Sequence, residues 1–152
     1  MSRSARNLSD DLRRTTLPKP MRDIEHQIAV AFMMWWAYSC KTLGRNPLGM
    51  NNGYDERLLM AIPNGGHRHP NVARKLKAEG VRSGVSDYFL AVARNGKMGL
   101  FLELKAGGPG ITKGRLSPEQ IEFGELVRQN GYGFQVAYGT DQAIKAIEDY
   151  LK

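Results

Sequence analysis

The chain has 152 residues, 41% of them hydrophobic, a single cysteine (Cys40) and a formal net charge of +7. That length suits one domain with a real core, and one cysteine excludes an intrachain disulfide or a cysteine-rich metal cluster, which fits a cytoplasmic setting. The basic balance favours a polyanionic partner, nucleic acid above all.

Residues 1–20 carry Arg3, Arg6, Arg13, Arg14 and Lys19 among Ser, Thr and Pro, a composition that predicts a flexible basic arm ahead of a domain over 21–152. The arm holds no apolar run of the kind a secretory leader needs. Ile24, Ile28, Phe32, Trp35 and Trp36 recur at helical spacing and predict a helix over 23–40. Its apolar stretch, 28–38, is too short to span a bilayer, so no membrane partner is expected. Five large apolar residues in succession, Phe32 to Trp36, cannot all face one core. Residues 42–55, rich in Gly and Asn, predict a loop, and 58–62 a short strand. Another loop follows over 63–70.

Asn71 is expected to cap a helix through 79, with Gly80 ending it. Residues 86–93 and 98–106 predict strands joined across Asn95-Gly96, a strong hairpin signal. A glycine-rich loop spans 107–114. Ser117 opens a helix to about 129, residues 134–138 form a strand, and Thr140 or Asp141 caps a last helix to 151. The order predicts an α/β fold, a mixed β-sheet flanked by helices.

The run Gly99-Leu-Phe-Leu-Glu-Leu-Lys105 ends a core strand with an acid and a base. Side chains alternate across a strand, so Glu103 and Lys105 share one face while Leu100, Leu102 and Leu104 share the other. Alone, that pair could be a solvated ion pair. Asp87 changes the balance, because it begins the partner strand in Gly-Val-Ser-Asp87-Tyr-Phe-Leu. A two-residue loop would pair Asp87 with Leu104, on the wrong face. A three-residue loop, 95–97, would pair it with Lys105 and gather all three side chains, and is the register expected here. Two carboxylates on one face suit a hard divalent cation, Mg²⁺ or Mn²⁺, with the carbonyl of Leu104 as a third oxygen. Lys105 suits the charge that develops on an attacked phosphate, or the positioning of the attacking water.

Asp87 followed by Glu103-x-Lys105 resembles the signature of the PD-(D/E)XK nucleases, with Ser86 where that superfamily has Pro. The ordered set LKAEGVRSGVSDYFL, LFLELKAG, LSPEQ and GYGFQVAYGTDQAIKAIEDYL resembles the VRR-NUC branch, including its small stand-alone phage and bacterial members. The resemblance implies a PD-(D/E)XK (restriction-endonuclease-like) core and a Mg²⁺- or Mn²⁺-dependent endonuclease that hydrolyses DNA, selecting structure such as junctions or flaps rather than sequence. It implies two further site residues: Glu25 as an acid that holds a metal directly or through water, and Gln120 as the polar residue on the helix after the E-x-K strand. Helix chemistry offers each a plainer role, since an acid favours a helix's first turn and Ser117-Pro-Glu-Gln120 is a capping box.

Lys75, Arg82, Lys113 and Arg115 are candidates for phosphate contact, although a solvated helix face explains such residues as well. His67 and His69 flank Arg68 in a glycine-rich loop without a third ligand nearby. Trp35 and Trp36 are expected as core or dimer anchors, and the apolar surplus of the first helix points to a homodimer, unless the 42–55 insert with Leu48, Met50 and Tyr54 covers it instead. The rival reading is a non-catalytic DNA-binding protein that kept the fold; retention of Asp87, Glu103 and Lys105 speaks against it.

Overall fold

The four-residue recurrence of Ile28, Phe32 and Trp36 buries one stripe of the first helix, α1 (Ile24–Ser39), with Cys40 buried just past its end, in the computed structural model, which describes residues 24–40, 53–63 and 70–152. The opposite stripe, Val30, Met34 and Tyr38, is exposed, and of the run Phe32 to Trp36 it includes Met34. The expected basic arm, most of the 42–55 loop, and His67 and His69 lie outside the described residues. Among the described residues no helix is long and apolar enough to cross a membrane.

Trp36 is fully buried, and its indole N–H donates to the carbonyl of Glu56 at 2.8 Å. That bond ties α1 to a single 3₁₀ turn, Glu56–Leu58, which leads into β1 (Leu59–Ala61). Helix α2 (Pro70–Ala78) follows. Asn71 lies inside it rather than at its cap: Pro70, with no N–H to satisfy and a preset φ, takes the first helical position instead. Gly80 ends the helix at φ +108°.

Three strands complete the sheet, β2 (Tyr88–Leu90), β3 (Leu100–Lys105) and β4 (Gly133–Tyr138), with α3 (Pro118–Gln129) between β3 and β4 and α4 (Thr140–Leu151) last. The order is β1-β2-β3-β4, antiparallel except for β4, which runs parallel to β3. The mixed sheet with flanking helices matches the fold class read from the sequence. Leu90, Leu100, Leu102 and Leu104 face a core closed by α1 and α4. The other face carries Phe101 and Phe134 under α3, with Phe101 edge-on to Phe123 at 5.2 Å and Gly124 against the Phe134 ring.

The hairpin register differs from the one expected. Asn95 (φ 51°) and Gly96 (φ 71°) form a two-residue turn closed by paired backbone bonds between Arg94 and Lys97. Beyond it, Leu90 faces Leu100 and Tyr88 faces Leu102. Three residues lie between Leu90 and Arg94 and two between Lys97 and Leu100, so one extra residue sits on the β2 side. This bulge, not a longer loop, shifts the register and sets Asp87 alongside Glu103 instead of Lys105. The start of α4 also differs. Gly139, not Thr140 or Asp141, occupies the cap at φ +88°, and no side chain caps the helix. A Cβ at Gly139 would lie 2.7 Å from the carbonyl oxygen of Gly107, so the chain turns there without room for a side chain.

Candidate active site

The acid pair is assembled where the β2–β3 ladder stops. Continuing the register would set Ser86 opposite Leu104, but the Leu104 N–H donates instead to the carboxylate of Asp87 at 2.8 Å. The backbone of Asp87 is pinned from its other side by the Ile62 N–H, which donates to its carbonyl at 2.7 Å. Gly99 and Lys105 carbonyls both serve β4, so by alternation the carbonyl of Leu104 points the other way, toward Asp87.

Glu103 sits at the centre of β3 with its side chain 0% exposed. Lys105, two residues on and on the same face, places Nζ 2.7 Å from Glu103 Oε1. Gln120, in the first turn of α3, donates from Nε2 to that same oxygen. Glu103 Oε2 is buried and has no hydrogen-bond donor among the described residues, and the neighbouring charged side chain is the carboxylate of Asp87. Gln120 meanwhile completes the capping box predicted for it: Ser117 N–H donates to Gln120 Oε1 at 2.9 Å, and Gln120 N–H donates to Ser117 Oγ at 3.3 Å. The bond that caps the helix and the bond to Glu103 are therefore made by different atoms of one side chain.

Burial is the main cause that pushes both acids upward. Glu103 is raised to about 7 by burial and by the negative charge of Asp87, against the lowering bond from Lys105. Asp87 is raised by burial and by Glu25, against the Leu104 amide and the Lys105 charge. Two carboxylates this close hold a proton between them or call for a cation.

The structure brings Glu25 to this end of the sheet, where its Oε1 accepts from the Ala106 N–H at 3.1 Å. Its charge reaches Asp87. Among the described residues, however, no three Asp, Glu, His or Cys side chains form a group able to hold a metal. Of the four groups expected around a metal, Asp87 and Glu103 lie side by side, strand alternation directs the Leu104 carbonyl to the Asp87 side, and Glu25 is turned to the chain at Ala106.

The basic candidates divide. Lys113 lies over the ring of Tyr138 at 4.1 Å, and Tyr138 is the β4 partner of Lys105. The loop carrying Lys113 and Arg115 folds onto Lys105: the Gly114 N–H donates to the Ala106 carbonyl at 2.9 Å, and a Cβ there would stand 3.2 Å from Lys105 Cβ. Tyr138 was not legible as a site residue, since its place beside Lys105 depends on a parallel register that sequence spacing does not encode. Lys75 is exposed on α2, where no residue is buried, and its ammonium lies 3.8 Å from Glu79 in the next turn. Arg82 is engaged in structure, its guanidinium donating to the carbonyls of Lys77 and Val81 behind α2.

Comparison with known proteins agrees with this geometry. The family model described as the VRR-NUC domain matches residues 23–141. A solved structure described as a VRR_NUC domain protein superposes with a TM-score of 0.61 at 26% identity, covering 84% of this chain and 87% of that one. Comparison with curated proteins finds no match.

Proposed function

Since the chain belongs to the VRR-NUC family, whose domain is a nuclease domain, we propose that it is a Mg²⁺- or Mn²⁺-dependent endonuclease that cuts DNA by structure rather than sequence. One observation carries the metal reading. Glu103 has one oxygen held by Lys105 and Gln120 and the other buried without a donor among the described residues, beside a second carboxylate. A buried anionic oxygen with no partner is costly unless a cation or proton completes it. The donor set, two carboxylates and a backbone carbonyl, is the hard oxygen set such a cation prefers.

Asp87, Glu103 and the Leu104 carbonyl would hold the ion, with Glu25 acting through water. When bound, the ion supplies Lewis-acid activation of the phosphate and of a water. Lys105 then carries the positive charge that faces the phosphate oxygen as negative charge builds on it. Gln120 fixes the Glu103 carboxylate by donating to Oε1, so that Oε2 is the oxygen that would be available to a metal. Lys113 and Arg115, beside Lys105, together with Lys75 on α2, neutralise flanking phosphates. The described residues offer no element built to read base edges, which favours recognition by shape.

A homodimer fits a substrate with two strands to cut. Val30, Met34 and Tyr38 line an exposed apolar stripe on α1, beside a shallow groove of about 470 Å³ lined by Ala29, Met33 and Tyr88. No Lys or Arg interrupts α1, so no lysine or arginine of that helix would oppose its copy across such a seam. The deciding experiment is a panel of labelled duplex, flap, junction and single-stranded DNA, incubated with and without Mn²⁺. Cleavage of branched DNA only with the metal is the expected result; metal-independent cleavage, or none on any substrate, would overturn the reading.

A further inference from the structure

We propose that the first turn of α3 is the positioning element of the acid pair, and that Ser117 is the positioning residue through which it acts. The inference builds on the nuclease reading above and concerns residues that touch neither substrate nor metal.

The argument starts from the chemistry of an amide. A glutamine side chain can face Glu103 with either its oxygen or its nitrogen, and the two orientations have nearly the same shape. With the oxygen forward it would set a partial negative charge against a buried carboxylate. The Ser117 N–H can only donate. By engaging Gln120 Oε1 at 2.9 Å, it turns Nε2 toward Glu103. The Ser117 hydroxyl, accepting from the Gln120 N–H at 3.3 Å, holds that residue at the third position of the helix, where the side chain can reach back. The cap thus selects the orientation that places two donors on Glu103 Oε1, Nε2 and the Lys105 ammonium, and leaves Oε2 bare.

A second contact ties the same turn to the other acid. Gly84, three residues before Asp87, adopts φ +81° and packs directly on the backbone of Glu119. A Cβ at Gly84 would stand 2.6 Å from the Glu119 carbonyl oxygen and 2.7 Å from its carbonyl carbon. That distance admits no side chain, and the backbone it would strike cannot swing aside. The loop that delivers Asp87 and the turn that delivers Gln120 are therefore in register through a glycine contact between the two. Both carboxylates are placed from one helical turn, so Ser117 and Gly84 belong to the machinery of orientation although neither side chain reaches the reacting atoms.

The test separates orientation from mere helix capping. Ser117→Gly removes the hydroxyl and keeps the N–H. Ser117→Pro removes both, and the native φ of −78° suits proline. The two variants thus share the loss of the side-chain cap and differ in the amide. The first readout needs neither metal nor DNA: the side-chain amide resonances of Gln120 in nitrogen-labelled protein. A shifted, exchange-protected pair is expected in the wild type and in Ser117→Gly, and collapse to a solvent-like signal in Ser117→Pro. The second readout is Mn²⁺ affinity by calorimetry without DNA. It is expected to fall by about tenfold or more in Ser117→Pro relative to Ser117→Gly, the range typical of groups that orient metal ligands. Ser117→Thr, which keeps both arms of the cap, is expected to restore both readouts. Protected Gln120 resonances in Ser117→Pro, at whatever melting temperature, would overturn the proposal. Absence of Mn²⁺ binding in the wild type would instead overturn the metal reading, while the resonances still decide the role of Ser117.

Discussion

Gln120 bridges Ser117 and Glu103: its oxygen accepts from the serine amide while its nitrogen donates to the buried carboxylate. Gln120→Ala removes both bonds together. The capping arm is worth about 1 kcal/mol, so the melting temperature should fall measurably. Cleavage in single-turnover assays should fall as well. An active but destabilised variant would assign Gln120 to the helix alone; an inactive variant of wild-type stability would assign it to the site alone.

Lys105→Ala should lower the single-turnover cleavage rate by roughly a hundredfold or more while the fold survives. The same change removes the bond that holds Glu103 down against burial. The Glu103 carboxyl should then titrate above its value of about 7, and Mn²⁺ binding should require a higher pH than in the wild type. Calorimetric titrations across pH check this, and an unchanged cleavage rate would refute the catalytic role.

Without metal, stability should fall as pH rises. Glu103 is raised to about 7 in the folded chain, above its ordinary 4.5, and Asp87 is raised too. The folded state therefore holds more protons than the unfolded state between those values. Stability from Glu103 is fully present below about 4.5 and is lost as pH passes through 7. Thermal melts at pH 5 and pH 8 in chelator should show the higher midpoint at pH 5, and Asp87→Asn should narrow the gap. Added Mn²⁺ should restore the midpoint at pH 8 by binding the folded state.

Met34→Lys tests the α1 stripe. Met34 is 53% exposed, so the change should leave a monomer's stability nearly unaltered. Light scattering should report a dimer for the wild type and a species of half the mass for the variant. A monomeric wild type would remove the two-site model.

The elements themselves were legible, because apolar spacing and turn chemistry are local. Ser117, Asn95-Gly96 and Gly80 announce their positions by residue type alone. The acid pair was legible as a pair, but not in its register. A bulge over 91–93 carries no glycine and leaves no mark on the sequence, so the preference fell on the loop length instead. Asn71 and Thr140 are good cap formers that lost to backbone demands, at Pro70 in one case and at the Gly107–Gly139 approach in the other. Contacts between distant segments, Glu25 with Ala106 and Tyr138 with Lys105, were beyond any spacing argument, because they depend on how α1 and β4 dock. The double use of Gln120 was the instructive case: the two roles proposed for it compete on paper, and the amide has atoms enough for both.

The hairpin that joins Asp87 to Glu103 links residues only sixteen apart, whereas β4 reaches β3 from some thirty residues downstream. Chain closure favours the shorter loop, so the hairpin should form ahead of the parallel pairing. The two carboxylates then meet before α3 is in place to supply Gln120. Their repulsion becomes an obstacle on the way to the fold as well as a cost within it. Refolding in chelator, followed by stopped-flow fluorescence of Trp35 and Trp36, should therefore be slower once both carboxyls are ionised than at acid pH, and divalent ions should act on the rate at which the chain reaches its native state.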